Sequence, residues 1–286
     1  MSAARAPPAE RVRARLRALA GDAAARAMPA GYQRLGRVLL VRLPAELAPY
    51  GPFLGEAWRQ ELGVTTVLAR AGPIGGELRE PSVLRLSDGP TETTVTEHGS
   101  RWCLDAARLM FAAGNRFERQ RFAGLVRPGE RVADLFAGIG YFTVPAARAC
   151  PTAAFVAVEK NPVAYAYLER NVRGNGVAAQ VRTILGDNRL AALPVRAFDR
   201  VVLGYLPSSV PYLDLALTLV APTGGTLHAH LLADARGGTA SAEGEVRAEL
   251  ERRGATLLAP PRGREVKPYG PGRTHVVVDV AVRPAP

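Results

Sequence analysis

From Arg131 to the C-terminus, short apolar runs alternate with segments in which apolar residues recur every three or four positions. Short apolar runs predict buried strands, and the longer period predicts amphipathic helices. The predicted strands span residues 131–136, 153–158, 180–185, 199–204, 224–231 and 274–282, and the predicted helices span 141–149, 162–174, 209–220 and 241–253. Strands that alternate with helices are typical of a doubly wound parallel sheet, so we predict an α/β fold.

The first part of the chain carries a separate set of elements. Predicted strands at 37–42, 64–68 and 83–86, a predicted helix at 52–63 and extended segments at 93–97 and 101–105 are separated by glycines and prolines. The segment before them is rich in Ala and Arg without a continuous apolar core, which favours an exposed amphipathic helix over a transit peptide. We therefore predict a helical extension at 1–28, a small α/β domain at 29–112 and a larger domain at 113–286.

Composition narrows the class of protein. The chain has 286 residues, of which 48% are hydrophobic, so it is long enough for a sizeable core. None of its apolar runs reaches the ~20 residues of a membrane helix. Its two cysteines, Cys103 and Cys150, provide no disulfide framework, which suits a reducing compartment. We expect a cytoplasmic protein without a membrane partner, and a monomer.

The chain is strongly basic, with a formal net charge of +11. Such a charge suits a polyanionic partner, and nucleic acid is the first candidate. Lys160 and Lys267 are the only lysines, so arginine supplies nearly all the positive charge. A general bias toward Ala, Arg, Gly and Pro explains the basicity equally well, and charge alone leaves the two explanations open.

The segment Asp134-Leu-Phe-Ala-Gly-Ile-Gly140 follows the first predicted strand of the large domain and opens a predicted helix. Gly138 and Gly140 let the backbone approach a nucleotide-like ligand, and Glu159, which ends the next strand, is placed to accept both ribose hydroxyls. The turn lacks the third glycine of a dinucleotide fingerprint. This pattern favours a mononucleoside such as S-adenosylmethionine.

Open α/β sheets bind their ligands at the carboxyl ends of the strands. Four consecutive predicted strands end in suitable residues. Asp and Asn are also common as helix caps and in turns, but four coincidences in a row favour a binding site. The predicted cofactor-binding residues are Arg116, Asp134, Phe136, Gly138, Gly140, Glu159, Lys160, Asn161, Asp187, Asn188, Gly204, Tyr205 and Leu206.

Two further segments carry unusual chemistry. Arg116 and Arg119, three apart on a predicted helix, would share a face and clamp a carboxylate, or belong to a solvated charged helix. His228 and His230 lie on one face of a predicted strand, where half-buried core histidines are favoured over a metal site because no third ligand is apparent. The basic segment from Lys267 to His275 suits either a phosphate contact or a turn.

The chain resembles the archaeal tRNA wybutosine-synthesising aminocarboxypropyl transferases, a sister group of the tRNA guanine N1-methyltransferases. The resemblance runs from about Gly31 to the C-terminus and rests on the segments 110–119, 134–140, 187–189, 204–205, 228–230, 269–272 and 275–279. It implies a class I methyltransferase Rossmann-like sheet, whose closing strands would be antiparallel, with a smaller N-terminal α/β domain.

Two departures from the methyltransferase pattern imply the aminocarboxypropyl branch. Gly204 stands where the methyltransferases have the Asn of an Asn-Leu-Pro motif, and Gly114-Asn115 stands where they have Pro-Arg. The resemblance implies transfer of the 3-amino-3-carboxypropyl group of S-adenosylmethionine to the tricyclic wyosine precursor in tRNA(Phe), with release of methylthioadenosine and without a metal. The implied catalytic residues are Arg116, Glu118 and Tyr205, with Arg116 contacting the amino-acid part and Glu118 orienting neighbouring arginines. Transfer of the same group to a small molecule, N1-methylation of guanine, and cofactor-responsive RNA binding without catalysis are the alternatives.

Overall fold

The computed structural model describes residues 6–72 and 75–285. It contains two compact units. The first consists of the described residues up to Thr96 together with Arg101–Phe111, and the second consists of Glu97–Ser100 and the described residues from Ala112 onward. The boundaries predicted at residues 28 and 112 stay predictions.

The first unit combines helices α1 and α2 with a four-stranded sheet in the order β1-β2-β3-β4. Its elements are α1 (Pro8–Ala27), β1 (Tyr32–Leu35), β2 (Val38–Arg42), α2 (Gly51–Leu62), β3 (Thr66–Arg70), β4 (Val83–Arg85), and a two-stranded ribbon of β5 (Glu92–Glu97) and β6 (Ser100–Asp105), whose turn belongs to the second unit. Val12 and Leu16 of α1 are fully buried in the cluster that contains Trp58. The N-terminal helix is therefore part of a core, and the expectation that it is exposed is wrong.

The second unit is built on an eight-stranded sheet. Its elements are α3 (Arg116–Ala123), β7 (Arg131–Asp134), α4 (Thr143–Ala149), β8 (Ala154–Glu159), α5 (Pro162–Gly174), β9 (Val181–Leu185), β10 (Arg200–Leu203), α6 (Leu213–Leu219), β11 (Gly225–Asp234), α7 (Gly238–Arg252), β12 (Thr256–Leu257), β13 (Arg262–Gly270) and β14 (Arg273–Arg283). The sheet order is β9-β8-β7-β10-β11-β14, and both β12 and β13 pair with the outer edge of β14. Strands β7 to β11 are parallel, whereas β14 is antiparallel to its neighbours.

Helices cover both faces of this sheet. Along β10, Val201 and Leu203 point into the cluster that contains residues of α6 and α7, while Val202 points into the cluster with α3, α4 and α5. Successive residues of a strand face opposite sides, so a strand covered on both faces must be apolar throughout. The doubly wound α/β prediction is confirmed.

Strand β13 is the main element that the sequence failed to predict. Its residues are mostly exposed and include Gly263, Pro268 and Gly270, so the local pattern is typical of a loop. Pairing with β14 supplies the strand, with register shifts after Glu265 and Pro268. Tertiary pairing overrides weak local propensity here.

Candidate active site

Four strand ends meet at one edge of the second sheet. Because β9, β8, β7 and β10 are adjacent and parallel, the segments that follow them lie side by side. The structure thereby brings together the predicted residues around Gly138, Glu159, Asn188 and Gly204, which come from segments far apart in the chain.

The glycine turn after β7 needs its glycines. Gly138 and Gly140 have φ of 56° and 93°, a region that residues with side chains rarely adopt. A Cβ at Gly140 would lie 2.6 Å from a methyl group of Val144, and one at Gly138 would lie 2.6 Å from the ring of Tyr141. Backbone geometry and close packing therefore both exclude side chains at these positions.

Glu159 ties the first two strand ends together. Its Oε2 accepts a hydrogen bond from the backbone N–H of Gly138 and its Oε1 accepts one from that of Asn161, both at 2.7 Å. Burial raises the pKa of this carboxyl, and the backbone hydrogen bonds oppose the rise. A carboxylate offers about four acceptor positions, so Glu159 retains acceptors for the hydroxyls of a ribose. Asn161 caps α5 by accepting from the backbone N–H of Val163 and Ala164.

Asp134 lies beneath the glycine turn. Its Oδ2 accepts from the Thr143 hydroxyl at 2.8 Å, and its Oδ1 accepts from the backbone N–H of Phe136 at 3.4 Å. Burial raises the pKa of Asp134 to about 6, against the effect of these hydrogen bonds. Both carboxyl oxygens thus hold the turn in shape, and direct contact of Asp134 with a ligand stays a prediction.

The end of β9 presents a charged and a neutral group. Lys160 Nζ donates to Asp187 Oδ2 at 2.8 Å, and this contact lowers the pKa of Asp187. Asn188 donates from Nδ2 to the backbone oxygen of Leu135 at 2.9 Å. Its Oδ1 is buried and has no hydrogen-bond partner, which leaves an acceptor suited to an exocyclic amino group.

An aromatic cluster stands next to Gly204. Phe136 and Tyr205 stack with ring centroids 5.0 Å apart, and Tyr212 packs edge-on against Phe136 at 4.8 Å. The guanidinium of Arg189 lies 4.2 Å from the centroid of Tyr212. A Cβ at Gly204 would lie 3.2 Å from the ring of Phe142. The fourth strand end therefore offers flat aromatic surfaces.

The arginine-rich helix α3 differs from the prediction. Arg119 is buried, donating to Glu97 at 2.5 Å and to the backbone oxygen of Ala112 at 3.0 Å. Arg116 is exposed, with its guanidinium 4.9 Å from the Phe117 centroid. Although the two positions are three apart on the helix, the side chain of Arg116 is exposed and that of Arg119 is buried. Glu118 binds Arg121 through two hydrogen bonds of 2.7 and 2.8 Å, and burial raises its pKa although Arg121 opposes the rise.

A series of ionic hydrogen bonds continues from Arg121 through the core. The sequence analysis did not predict it. Arg121 binds Asp279, with a shortest distance of 2.5 Å, and Asp279 Oδ1 lies 2.5 Å from Nδ1 of His228. Nε2 of His228 lies 2.7 Å from Arg200 Nη1. Since a guanidinium only donates, Nε2 accepts and Nδ1 carries the proton that is donated to Asp279.

This series of ionic hydrogen bonds ends at Glu130, which Arg200 binds through two hydrogen bonds of 2.9 Å. Burial lowers the pKa of His228, against the effect of Asp279, so the neutral ring is favoured. Burial acts to raise the pKa of Asp279, but His228 and Arg121 lower it well below its usual range. His228 was expected to be half-buried and is fully buried. Of the partners of His228, the sequence analysis had singled out Asp279 alone, as the last residue of the segment 275–279 on which the family resemblance rests.

His230 belongs to a second pair, with its Nδ1 2.9 Å from Nε2 of His275. Burial lowers the pKa of His230 well below its usual value, and burial together with Lys267 lowers that of His275 to about 4. Within residues 6–72 and 75–285, no group of three or more His, Cys, Asp or Glu side chains is arranged to hold a metal.

Several buried polar atoms without hydrogen-bond partners lie near this edge of the sheet. In the part of the chain that the structure describes they include Asn188 Oδ1, Ser209 Oγ and His275 Nδ1. Asn188 and Ser209 follow β9 and β10, and His275 lies near the start of the antiparallel β14, which is at the same edge. Because buried polar atoms are almost always hydrogen-bonded, their presence here indicates a ligand site.

Comparison with known proteins identifies the family of the protein that carries this site. Residues 93–241 match the TRM5/TYW2 methyltransferase domain, and residues 12–87 match the TYW2 N-terminal domain. The chain is 36% identical over 204 residues to the tRNA(Phe) (4-demethylwyosine(37)-C(7)) aminocarboxypropyltransferase of Pyrococcus horikoshii, covering 71% of this chain and 72% of the relative. The chain belongs to the TRM5/TYW2 family.

Other TRM5/TYW2 members agree with this assignment. The aminocarboxypropyltransferase of the same name from Methanocaldococcus jannaschii is 34% identical over 252 residues, covering 87% of this chain and 96% of the relative. The crystal structure of P. horikoshii TYW2 in complex with MeSAdo superposes with a TM-score of 0.83 at 28% identity, covering 97% of this chain and all of that one. That of M. jannaschii TYW2 in complex with AdoMet has a TM-score of 0.72 at 30% identity, covering 89% of this chain and all of that one.

The four strand ends fit S-adenosylmethionine, the co-substrate implied by this family. Glu159 supplies acceptors for the ribose, and the unpartnered Oδ1 of Asn188 supplies one for the adenine amino group. No helix in the described ranges combines the length and apolar character needed to cross a membrane.

Proposed function

We propose that this protein transfers the 3-amino-3-carboxypropyl group of S-adenosylmethionine to C7 of 4-demethylwyosine at position 37 of tRNA(Phe). The observation that carries the proposal is the family assignment, made through relatives named for this reaction. Gly204 at the fourth strand end adds support, because the methyltransferase branch resembled by the sequence has an asparagine there.

The reaction is a displacement at carbon. C7 of the acceptor base forms a bond to the γ-carbon of the methionine part, and the bond from that carbon to sulfur breaks. The sulfur keeps the electron pair, so the sulfonium becomes the neutral thioether methylthioadenosine. C7 then loses its proton, which restores the aromatic ring.

Selectivity among the three carbons bound to sulfur is a matter of position. The carbon held in line with the acceptor at ~3–3.5 Å is the one that is transferred. The protein must therefore hold the amino-acid arm toward the acceptor and turn the methyl group away. We assign the nucleoside to Glu159 and Asn188 and the reacting centre to Gly204 and Tyr205, and retain Arg116 and Glu118 as candidate catalytic residues.

The aromatic cluster of Phe136, Tyr205 and Tyr212 suits the acceptor. Single RNA bases are recognised by stacking on aromatic rings and on arginine planes, and Arg189 lies over Tyr212. The net charge of +11 suits binding of the tRNA backbone. We further propose that the protein acts as a cytoplasmic monomer, with its catalytic domain beginning near residue 113.

Mass spectrometry of the co-product tests the proposal. Incubation with S-adenosylmethionine and tRNA(Phe) carrying 4-demethylwyosine is expected to give methylthioadenosine and the matching mass gain on the tRNA. tRNA that carries unmodified guanosine at position 37 is the control and is expected to give neither. S-adenosylhomocysteine as co-product would identify a methyltransferase instead.

Replacing Glu159 with Gln is expected to weaken S-adenosylmethionine binding by about 10-fold or more, because an amide loses the charge that strengthens hydrogen bonds from hydroxyls. The measurement is calorimetric titration of the purified variant. Glu169→Gln on α5 is the matched control and is expected to bind normally. Unchanged affinity in Glu159→Gln would remove Glu159 from the site.

A further inference from the structure

One face of strand β13 carries a row of cations. Arg262 and Arg264 are exposed, and Lys267 follows them along the strand. Their register partners are every second residue of β14, from Asp279 to His275. Residues opposite each other in an antiparallel pair share a face, so the three cations lie on the same face of the sheet. We refer to Arg262, Arg264 and Lys267 as the basic row.

A register shift in β13 keeps the basic row on one face. Regular alternation would place Arg264 and Lys267, which are three positions apart, on opposite faces. The shift between Glu265 and Lys267 adds one residue to β13, and this extra residue returns Lys267 to the face of Arg264. Glu265 is the only acidic residue of the strand, and it pairs with Val276 on the other face.

The two arginines of the basic row present their charge to solvent. Neither Arg262 nor Arg264 forms an ion pair with any residue in the ranges that the structure describes. Burial raises the pKa of Glu118, and the charge of Arg264 is among those that oppose the rise, so Arg264 lies on the side of α3. Glu118 is itself buried and already bound to Arg121. The face is therefore positively charged, which suits a polyanion.

An exposed aromatic ring lies near the Lys267 end of the basic row. Lys267 passes over Gly114, where a Cβ would lie 2.7 Å from its Cδ, and α3 begins two residues later. Phe117 in the first turn of α3 is 68% exposed, and the guanidinium of Arg116 lies 4.9 Å from its ring centroid. Unpaired RNA bases stack on aromatic rings and on arginine planes. This pair therefore offers a stacking surface beside the cations.

Contacts between side chains connect the basic row to the reacting centre assigned above. Lys267 pairs with His275, and His275 contacts His230. The ring of Phe142 lies 5.2 Å, between centroids, from that of His230 and 3.2 Å from the Cβ position of Gly204. An RNA strand whose target base reaches Gly204 can therefore continue along the basic row.

We propose that the basic row and Phe117 bind the single-stranded anticodon loop on either side of the acceptor base. The cations bind phosphates, and the ring of Phe117 stacks on an unpaired base next to the acceptor. A paired stem offers phosphates but no free base, so the exposed ring favours a loop as the occupant. The inference rests on the proposed function, since it names the part of the tRNA that these residues bind.

The salt dependence of RNA binding tests the basic row. The Kd of the anticodon stem–loop of tRNA(Phe) carrying 4-demethylwyosine is measured over a range of salt concentrations for the full-length protein and for Arg262→Met with Arg264→Met. Each phosphate contact to a single strand contributes ~0.7 to the slope of log K against log salt. The double variant is expected to lose about 1.4 of this slope and to bind about 10-fold more weakly at low salt.

Arg182→Met with Arg247→Met is the matched control, because it removes the same charge elsewhere. Arg182 is exposed on β9 at the opposite edge of the sheet, and Arg247 is exposed on α7, which covers the opposite face. The control is expected to keep the wild-type slope, and both double variants are expected to bind S-adenosylmethionine like the wild type. Equal slopes in the two double variants would overturn the basic row. So would a loss of slope that appears with whole tRNA but not with the stem–loop.

Substitutions of Phe117 test the stacking contact. Phe117→Leu is expected to weaken binding of the stem–loop by about 10-fold, whereas Phe117→Tyr keeps the ring and is expected to bind like the wild type. Equal affinity of these two variants would remove Phe117 from the surface. A wild type that binds the stem–loop with the expected salt dependence but forms no methylthioadenosine would contradict the proposed function and leave the binding surface in place.

Discussion

Replacing Asp279 with Asn is expected to lower the free energy of unfolding by about 2 kcal/mol. This is less than the ~3–5 kcal/mol lost when one partner of a fully buried ion pair is removed, because the side chains of Arg121 and Asp279 are 20% and 23% exposed. Asp279 accepts hydrogen bonds from Arg121 and from Nδ1–H of His228. An amide of the same shape keeps one acceptor oxygen and turns an NH2 group toward these donors. The cationic Arg121 loses one of its two anionic partners.

Chemical denaturation at neutral pH measures this effect. Asp234→Asn is the matched control, because its carboxylate is 58% exposed and its ion pair with Arg236 spans 3.8 Å. Exposed pairs contribute little, so this variant is expected to unfold like the wild type. Equal stability of the two variants would mean that the partly buried ion pair of Arg121 and Asp279 does not stabilise the fold.

Stability is expected to fall as the pH drops from about 6.5 toward 4. His228, His230 and His275 are buried, and burial lowers the pKa of each. The unfolded chain takes up protons near pH 6.5, whereas folded His275 does so only at about 4. By linkage, the full contribution of such a histidine to stability is present above its pKa in the unfolded chain. This contribution is lost as the pH falls toward its lower pKa in the folded protein. His275 alone accounts for about 3 kcal/mol over this window.

Asp134 acts in the opposite direction. Its folded pKa of about 6 lies above its usual 3.8, so its contribution to stability increases as the pH falls through this range. Glu118 and Glu159, whose pKa values are also raised by burial, act in the same direction as Asp134. The three buried histidines and Asp279, whose pKa is lowered, act in the other direction, and we expect the net result to be a loss of stability. Unfolding measured at pH 7.0 and 4.5 is expected to show it, and His275→Asn is expected to reduce the difference. If the wild type were equally stable at pH 7.0 and 4.5, the inference that the buried histidines are neutral would be wrong.

The sequence correctly predicted features that depend on short segments. The run from β7 through the glycine turn to Glu159 is visible because a buried strand, a tight turn and a helix start each leave a local pattern. The alternation of strands and helices predicted the doubly wound sheet for the same reason, and the family resemblance extended it to the chemistry. The sequence thus determined the α/β class, the edge that carries the candidate site and the type of co-substrate.

Tertiary structure decided which distant side chains meet. Arg121 and Asp279 are 158 positions apart and form one ion pair only because β14 lies beside β11 and near α3. The spacing of Arg116 and Arg119 predicted a shared face, but Glu97 draws Arg119 into the interior. Lys267 lies on a strand that exists only through its pairing with β14. Periodicity reports the environment of neighbouring residues, whereas contacts between distant segments depend on how the strands and helices pack.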